Sequence, residues 1–124
     1  MARRPEVLPS QGCPVGDLLA FLGKPYVLDI LRLFHEEPRP HRFLEIQQRL
    51  GLSPNTLTGR LKELVGSGFL VRTAYPQIPP RVDYSPTPKA RALDTIFDAL
   101  GDWAREHDLA QFHPAHAVAA LARA

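Results

Sequence analysis

Apolar residues fall along the chain in four helix-like periods, then two strand-like runs, then a fifth helical period. Residues 15–22 form a short apolar segment that ends at Gly23 and predicts a first helix. Tyr26, Val27, Ile30, Leu31 and Phe34 recur at helical spacing up to the breakers Pro38 and Pro40, and Pro25 suits the first turn of that second helix. Phe43, Ile46, Gln47 and Leu50 mark a third helix, ended by Gly51. The fourth opens with Ser53 as N-cap and Pro54 at the first helical position, where its missing N–H would be unpaired anyway. Leu57, Leu61, Leu64 and Val65 then form one apolar stripe at i, i+4, i+7 and i+8. Away from that stripe lie Asn55, Thr56, Thr58, Arg60 and Lys62. With only Gly51-Leu52 before the N-cap, helices three and four make a helix–turn–helix.

Gly66-Ser67-Gly68 closes the fourth helix, and the pattern then changes period. Residues 69–75 (FLVRTAY) and 82–84 (VDY) predict two antiparallel strands. Pro76, Pro79 and Pro80 stiffen the tip between them and keep an exposed edge from pairing with other chains. A helix–turn–helix followed by a hairpin bearing Arg72 and Arg81 is a winged helix. Residues 53–66 would enter the major groove and residues 72–84 would straddle the backbone or minor groove. From Pro88 one long helix is expected, with Leu93, Ile96, Phe97, Leu100, Trp103 and Ala104 on a 3.6-residue period. So large a stripe implies partial burial against another subunit; the alternative is that it packs on its own core. The fold class expected is mainly α with a small β-hairpin (α+β). It comprises a loose arm over residues 1–12, a winged-helix domain with dimerisation helices over 13–108, and a tail over 109–124 that adds a short helix or frays.

The overall charge of +2 conceals a strongly uneven distribution. Residues 1–38 carry four Lys/Arg against five Asp/Glu, and residues 92–124 carry two against five. Residues 39–91 carry nine against three, a net of +6. A basic middle between acidic ends is the footprint of a polyanion-binding segment, although a merely solvated basic surface has the same composition. A chain of 124 residues with 44% hydrophobic residues fits one globular domain. No apolar run is long enough for a membrane span and the N-terminal residues lack a signal core, so no membrane partner is expected. The single cysteine, Cys13, allows no intrachain disulfide and points to a reducing cytoplasm.

Several segments together carry a family resemblance. They are Cys13-Pro14-Val15, Leu22-Gly23-Lys24, Arg42-Phe43, the run from Leu57 to Leu64, and above all the wing Tyr75-Pro76-Gln77-Ile78-Pro79-Pro80-Arg81-Val82-Asp83-Tyr84-Ser85. The chain resembles the HxlR-type branch of the MarR-like winged-helix transcriptional regulators, over residues 13 to about 103. The resemblance implies a homodimer held by the N- and C-terminal helices and bound to a pseudo-palindromic duplex. It places Val15, Leu18, Leu19, Leu22, Leu93, Ile96, Phe97, Leu100 and Trp103 at the dimer contact. It also implies that Cys13 can sense oxidants or electrophiles; the bland alternative is that a free cysteine is only a small hydrophobe. The Pro25-Tyr26 pair stands where the family usually has tryptophan.

Candidate DNA contacts are Arg42, Ser53, Asn55, Thr56, Thr58, Arg60, Lys62, Arg72 and Arg81. Asn pairs bidentately with adenine and Thr meets the thymine methyl group, while the cations suit phosphates or guanine. Thr56 could instead cap the helix and Lys62 could simply be solvated. His107, His113 and His116 invite a metal reading, but Pro114 lies between the last two and no cysteine is nearby, so no metal site is expected. No Gly-rich phosphate loop, activated nucleophile or paired carboxylates occur, so neither an enzyme nor a cofactor is expected. The function expected is a sequence-specific, homodimeric DNA-binding regulator whose small-molecule effector, if any, the sequence does not name. The rivals are a winged-helix protein-interaction module and a non-specific architectural DNA binder.

Overall fold

The computed structural model describes residues 12–109. Expectations for the remainder of the arm, for the tail and for His113 and His116 lie outside the described residues. Six helices and three strands follow in order: α1 Pro14–Leu22, α2 Val27–Glu36, β1 His41–Arg42, α3 Phe43–Leu50, α4 Pro54–Gly66, β2 Leu70–Tyr75, β3 Arg81–Pro86, α5 Pro88–Arg91 and α6 Asp94–Glu106. The strands form an antiparallel sheet in the order β1-β3-β2. This is the winged helix-turn-helix arrangement, mainly helical with a small sheet.

The core collects the apolar stripes of α2, α3 and α4 beneath the sheet. Val27, Ile30, Leu31 and Phe34 from α2 meet Ile46 from α3 and Leu57, Leu61 and Leu64 from α4, all buried. Each leucine so placed contributes roughly 2 kcal/mol of transfer free energy. Burying the 57/61/64 stripe also fixes the rotation of α4 about its axis, so its opposite face must point outward. Ser53 caps α4 as expected, its Oγ accepting the N–H of Thr56 at 3.2 Å. At the other end Phe69 donates to Leu64 O and Gly68 to Val65 O, with Gly68 at φ +85°. That pair of bonds is a Schellman closure, and it turns the chain sharply from α4 into β2.

Three expectations are corrected. Pro25 is not in the first turn of α2: the helix starts at Val27, and Tyr26 caps it in the left-handed region at φ 69°. The long helix from Pro88 is two helices. Thr87 caps the short α5, and Leu93 donates to Ala90 O, a tightened turn that re-aims α6 and lets Leu93 and Phe97 enter the core. The hairpin is also joined by a third strand. His41 and Arg42 pair with Tyr84 and Asp83, tying the entrance of α3 to the wing.

Candidate nucleic-acid interface

With Leu57, Leu61 and Leu64 turned inward, Asn55, Thr58, Gly59 and Lys62 lie together on the outward stripe of α4, and all four are exposed. A Cβ added at Gly59 would meet nothing within 4 Å. Among the described residues nothing packs on this glycine, and the stripe is open along its length. Ser53 and Thr56 are engaged at the cap instead: besides the backbone bond, Ser53 Oγ donates to Thr56 Oγ1 at 3.0 Å.

The nine expected contact residues separate by what already holds them. Arg60 points away from the open stripe. Its Nε donates to the carbonyl of Pro25 at 2.8 Å and its Nη1 pairs with Glu63 at 2.9 Å. Glu63 in turn receives Lys24 at 3.3 Å, and that ammonium group, with Arg60, holds the Glu63 carboxyl below its usual range. Arg60, one of the expected DNA contacts, here braces α4 against the α1–α2 turn, because its position on the helix faces that turn. The guanidinium carbon of Arg81 lies over the Tyr75 ring, 4.5 Å from its centroid, and the group is held by Asp83, with Nη2–Oδ2 at 2.9 Å and Nε–Oδ1 at 3.3 Å. The guanidinium holds the buried Asp83 carboxyl below its ordinary range, and the carboxylate raises Arg81 in return. Arg42 reaches the same carboxylate only at 4.0 Å and stays largely exposed.

Lys62 and Arg72 remain. Among the described residues they are the two Lys/Arg side chains without a hydrogen bond, ion pair or ring contact. Lys62 lies on the open stripe of α4 and Arg72 on β2, and the two line one cleft between helix and wing.

Sequence reasoning missed several members of this surface. Asp83 was passed over, although its i, i+2 spacing from Arg81 puts both on one face of a strand. Ile78, at the tip of the wing, is 99% exposed. Beneath the wing Glu37, Arg39, His41, Glu45 and Arg49 form an ionic network that fastens the end of α2 to α3: Arg39–Glu45 at 2.7 Å, Arg49–Glu37 at 2.7 Å and His41–Glu45 at 2.8 Å. Hydrogen bonding from Arg39, and then from His41, pushes the Glu45 carboxyl down to about 2. Glu37, His41 and Glu45 come close enough together to hold a cation, but the two guanidiniums already occupy both carboxylates. His107 stacks on Trp103 and donates from Nδ1 to its carbonyl.

The expected dimer residues also divide. Leu22, Leu93 and Phe97 are consumed by the chain's own core, where Phe97 meets His35, itself tied to Asp94 at 2.7 Å. Leu18 is half-buried against that core. Val15 and Leu19 on α1, and Ile96, Leu100 and Trp103 on α6, are 36–65% exposed. Cys13 is exposed and caps α1, its Sγ accepting the N–H of Gly16 at 3.3 Å. No helix among the described residues is long and apolar enough to cross a membrane.

A helix–turn–helix with its second helix open to solvent, followed by a braced, cation-bearing hairpin, defines a winged-helix protein of the kind that engages duplex DNA. The chain belongs to the HxlR-like helix-turn-helix family, whose profile matches residues 22–111. It is 38% identical over 94 residues to an HTH-type transcriptional regulator of Halalkalibacterium halodurans, covering 75% of this chain and 82% of that one. Among solved structures it resembles a MarR-family regulator of Porphyromonas gingivalis (TM-score 0.69, 28% identity, 82% of this chain and 99% of that one). It also resembles the reduced form of the transcriptional regulator YodB of B. subtilis (TM-score 0.69, 30% identity, 78% and 95%).

Proposed function

We propose that this protein is a transcriptional regulator that binds double-stranded DNA sequence-specifically as a homodimer on a pseudo-palindromic operator. The observation that carries the reading is that Lys62 and Arg72, the two uncommitted cations among the described residues, stand on and beside the open Asn55–Thr58–Gly59–Lys62 stripe. Among the described residues every other arginine is paired with a carboxylate, so the free positive charge is concentrated beside this stripe, where a polyanion would meet it. Asn55 and Thr58 are the base-reading candidates. Arg72, Lys62 and the half-exposed Arg81 are the phosphate contacts, with Asp83 and Tyr75 aiming Arg81. Half-sites about 34 Å apart match the two-fold symmetry of such a dimer. Selection of genomic fragments at controlled salt, followed by titration of the winning duplex against a random one, tests this. Equal affinity for both would leave only the architectural reading, and no binding at low ionic strength would end the proposal.

A redox response through Cys13 is the second element. It is supported by the thiol's exposure at the start of α1, next to the exposed Val15 and Leu19. It is also supported by the likeness to YodB, solved both reduced and after diamide treatment. Diamide oxidation that leaves Cys13 a free thiol by intact mass would exclude it.

A further inference from the structure

His41 is buried with an acceptor at each end of its ring. Nε2 lies 2.9 Å from the main-chain oxygen of Glu37, and Nδ1 lies 2.8 Å from Oε2 of Glu45. A carbonyl and an ionised carboxylate only accept, whereas a neutral imidazole offers one N–H and one lone pair. Either neutral tautomer would therefore press a lone pair against an oxygen. The side chain is 0% exposed, so no bulk water relieves that contact. Only the imidazolium satisfies both ends at once. Hydrogen bonding from Arg39, and then from His41, holds the Glu45 carboxyl at about 2, so this acceptor stays ionised at neutral pH. His35 differs: it too lies between two carboxylates, Asp94 at 2.7 Å and Asp98 at 3.3 Å, but its side chain is 20% exposed and water can serve either nitrogen.

Charged groups face His41 from every element around it. Glu37 and Arg39 come from the end of α2 and the loop after it, and Glu45 and Arg49 from α3. Arg42 shares its strand, and β3 brings Asp83 and Tyr84. Phe34 meets the ring edge-on, the centroids 4.9 Å apart. The guanidiniums of Arg49, Arg39 and Arg81 hold Glu37, Glu45 and Asp83 below the usual carboxylate range. Imidazole is the side chain whose charge changes near neutral pH, so in this cluster that role falls to His41.

The proton holds the base of the wing. His41 pairs with Tyr84 and Arg42 with Asp83 across β1 and β3, and Asp83 in turn holds Arg81. We propose that His41 is a proton-operated positioning residue for the wing. With both nitrogens protonated it ties β1 to the end of α2 and to α3. Loss of the Nδ1 proton to solvent turns a lone pair on Glu45, parts that bond and frees the wing to shift. The consequence for operator affinity rests on the DNA-binding reading above.

The test begins without DNA, on the uniformly 15N-labelled full chain, by long-range 1H–15N correlation across about pH 5 to 8. At the acid end both ring nitrogens of His41 should carry a proton. As pH rises Nδ1 should become a lone-pair nitrogen, and the amides of Glu45, Asp83 and Tyr84 should shift with the same midpoint. Glu45→Gln keeps an acceptor in place but removes its charge, and should move that midpoint to lower pH. At constant ionic strength, wild-type operator affinity should fall across the interval by about tenfold more than that of His41→Leu, the worth of one charge-assisted hydrogen bond. Should His41→Leu not fold, Glu45→Gln carries the comparison, its affinity falling at lower pH than wild type.

A His41 ring with one bare nitrogen at every pH, or with both protonated at every pH, overturns the switch. A titration to which Asp83 and Tyr84 do not respond separates His41 from the wing. The same pH profile of operator affinity in wild type and variants overturns the coupling. If no duplex binds at any pH, the DNA reading has failed, while the DNA-free titration still decides the switch.

Discussion

Arg60 donates from Nε to the main-chain oxygen of Pro25, 35 residues earlier, at 2.8 Å, and so joins α4 to the turn between α1 and α2. That carbonyl precedes Tyr26, the one non-glycine residue with positive φ among the described residues, so the bond holds a backbone that would otherwise relax. Arg60→Gln should therefore lower folding stability by about 1 kcal/mol in urea unfolding, the usual worth of a partly exposed charged hydrogen bond. Its effect on the salt dependence of DNA binding should be small. Lys62→Gln and Arg72→Gln should do the reverse, leaving stability nearly unchanged and each reducing the log–log salt slope by about one. A slope change for Arg60→Gln as large as theirs would return Arg60 to the interface.

Two glycines of one region should respond with opposite signs to the same substitution. Gly59 has ordinary helical φ and open space around its missing Cβ, so Gly59→Ala should stabilise the fold by about 1 kcal/mol through helix propensity. The same methyl group stands on the open stripe and should weaken operator binding. Gly68 closes α4 at φ +85°, where an L side chain costs about 1–2 kcal/mol, so Gly68→Ala should destabilise. Thermal melts of both variants, with DNA titration of the first, are the measurements. A Gly59→Ala protein that is more stable and binds DNA as well as before would separate that face from the duplex.

The repeating stripes were legible because burial imposes a period. α3 and α4, their caps and the hairpin lie within a residue or two of where Leu57, Leu61, Leu64, Ser53 and Gly51 put them. β1 was not legible, since two residues cannot show an alternation and His41 and Arg42 become a strand only by pairing with Tyr84 and Asp83. Nor was the break before α6, which contains neither Gly nor Pro and exists because Leu93 and Phe97 must reach a core built by other helices. For the site, the sequence shows which cations are present and leaves open what each is bound to. Arg60 and Lys62, two residues apart, look alike in a chain of letters; only the distant Pro25 carbonyl separates them. Asp83 was recoverable from its spacing to Arg81.

The ionic network beneath the wing has a pH signature. Glu45 falls from 4.5 to about 2 on folding, chiefly through its bond to Arg39 and then to His41. A depressed carboxylate contributes stability that is fully present above the unfolded value and is lost as pH falls through the folded one. Wild-type stability should thus decline between about pH 4.5 and 2 more steeply than that of Glu45→Gln, which lacks this proton uptake. Parallel denaturation curves for the two proteins across that interval would mean that the network does not form in solution.

The outer stripe of α6 provides the sharpest test of the homodimer, because neighbouring residues of one helix have been assigned opposite fates. Phe97 is 8% exposed, whereas Leu100 and Trp103, at i+3 and i+6, are about half exposed. If the stripe Ile96, Leu100 and Trp103 meets a second copy, Leu100→Asp places a charge in that contact while leaving the chain's own core intact. It should yield a folded monomer by light scattering, with normal far-ultraviolet circular dichroism. Operator affinity should fall by a large factor, since a half-site bound alone loses the effective concentration that a linked second half supplies. Phe97→Ala should instead lose about 3–5 kcal/mol of fold stability whatever the protein concentration, by the cavity it leaves. A wild-type chain that is monomeric at micromolar concentration, or a Leu100→Asp chain that remains dimeric, would assign this stripe to some other surface and remove the two-fold match between protein and operator.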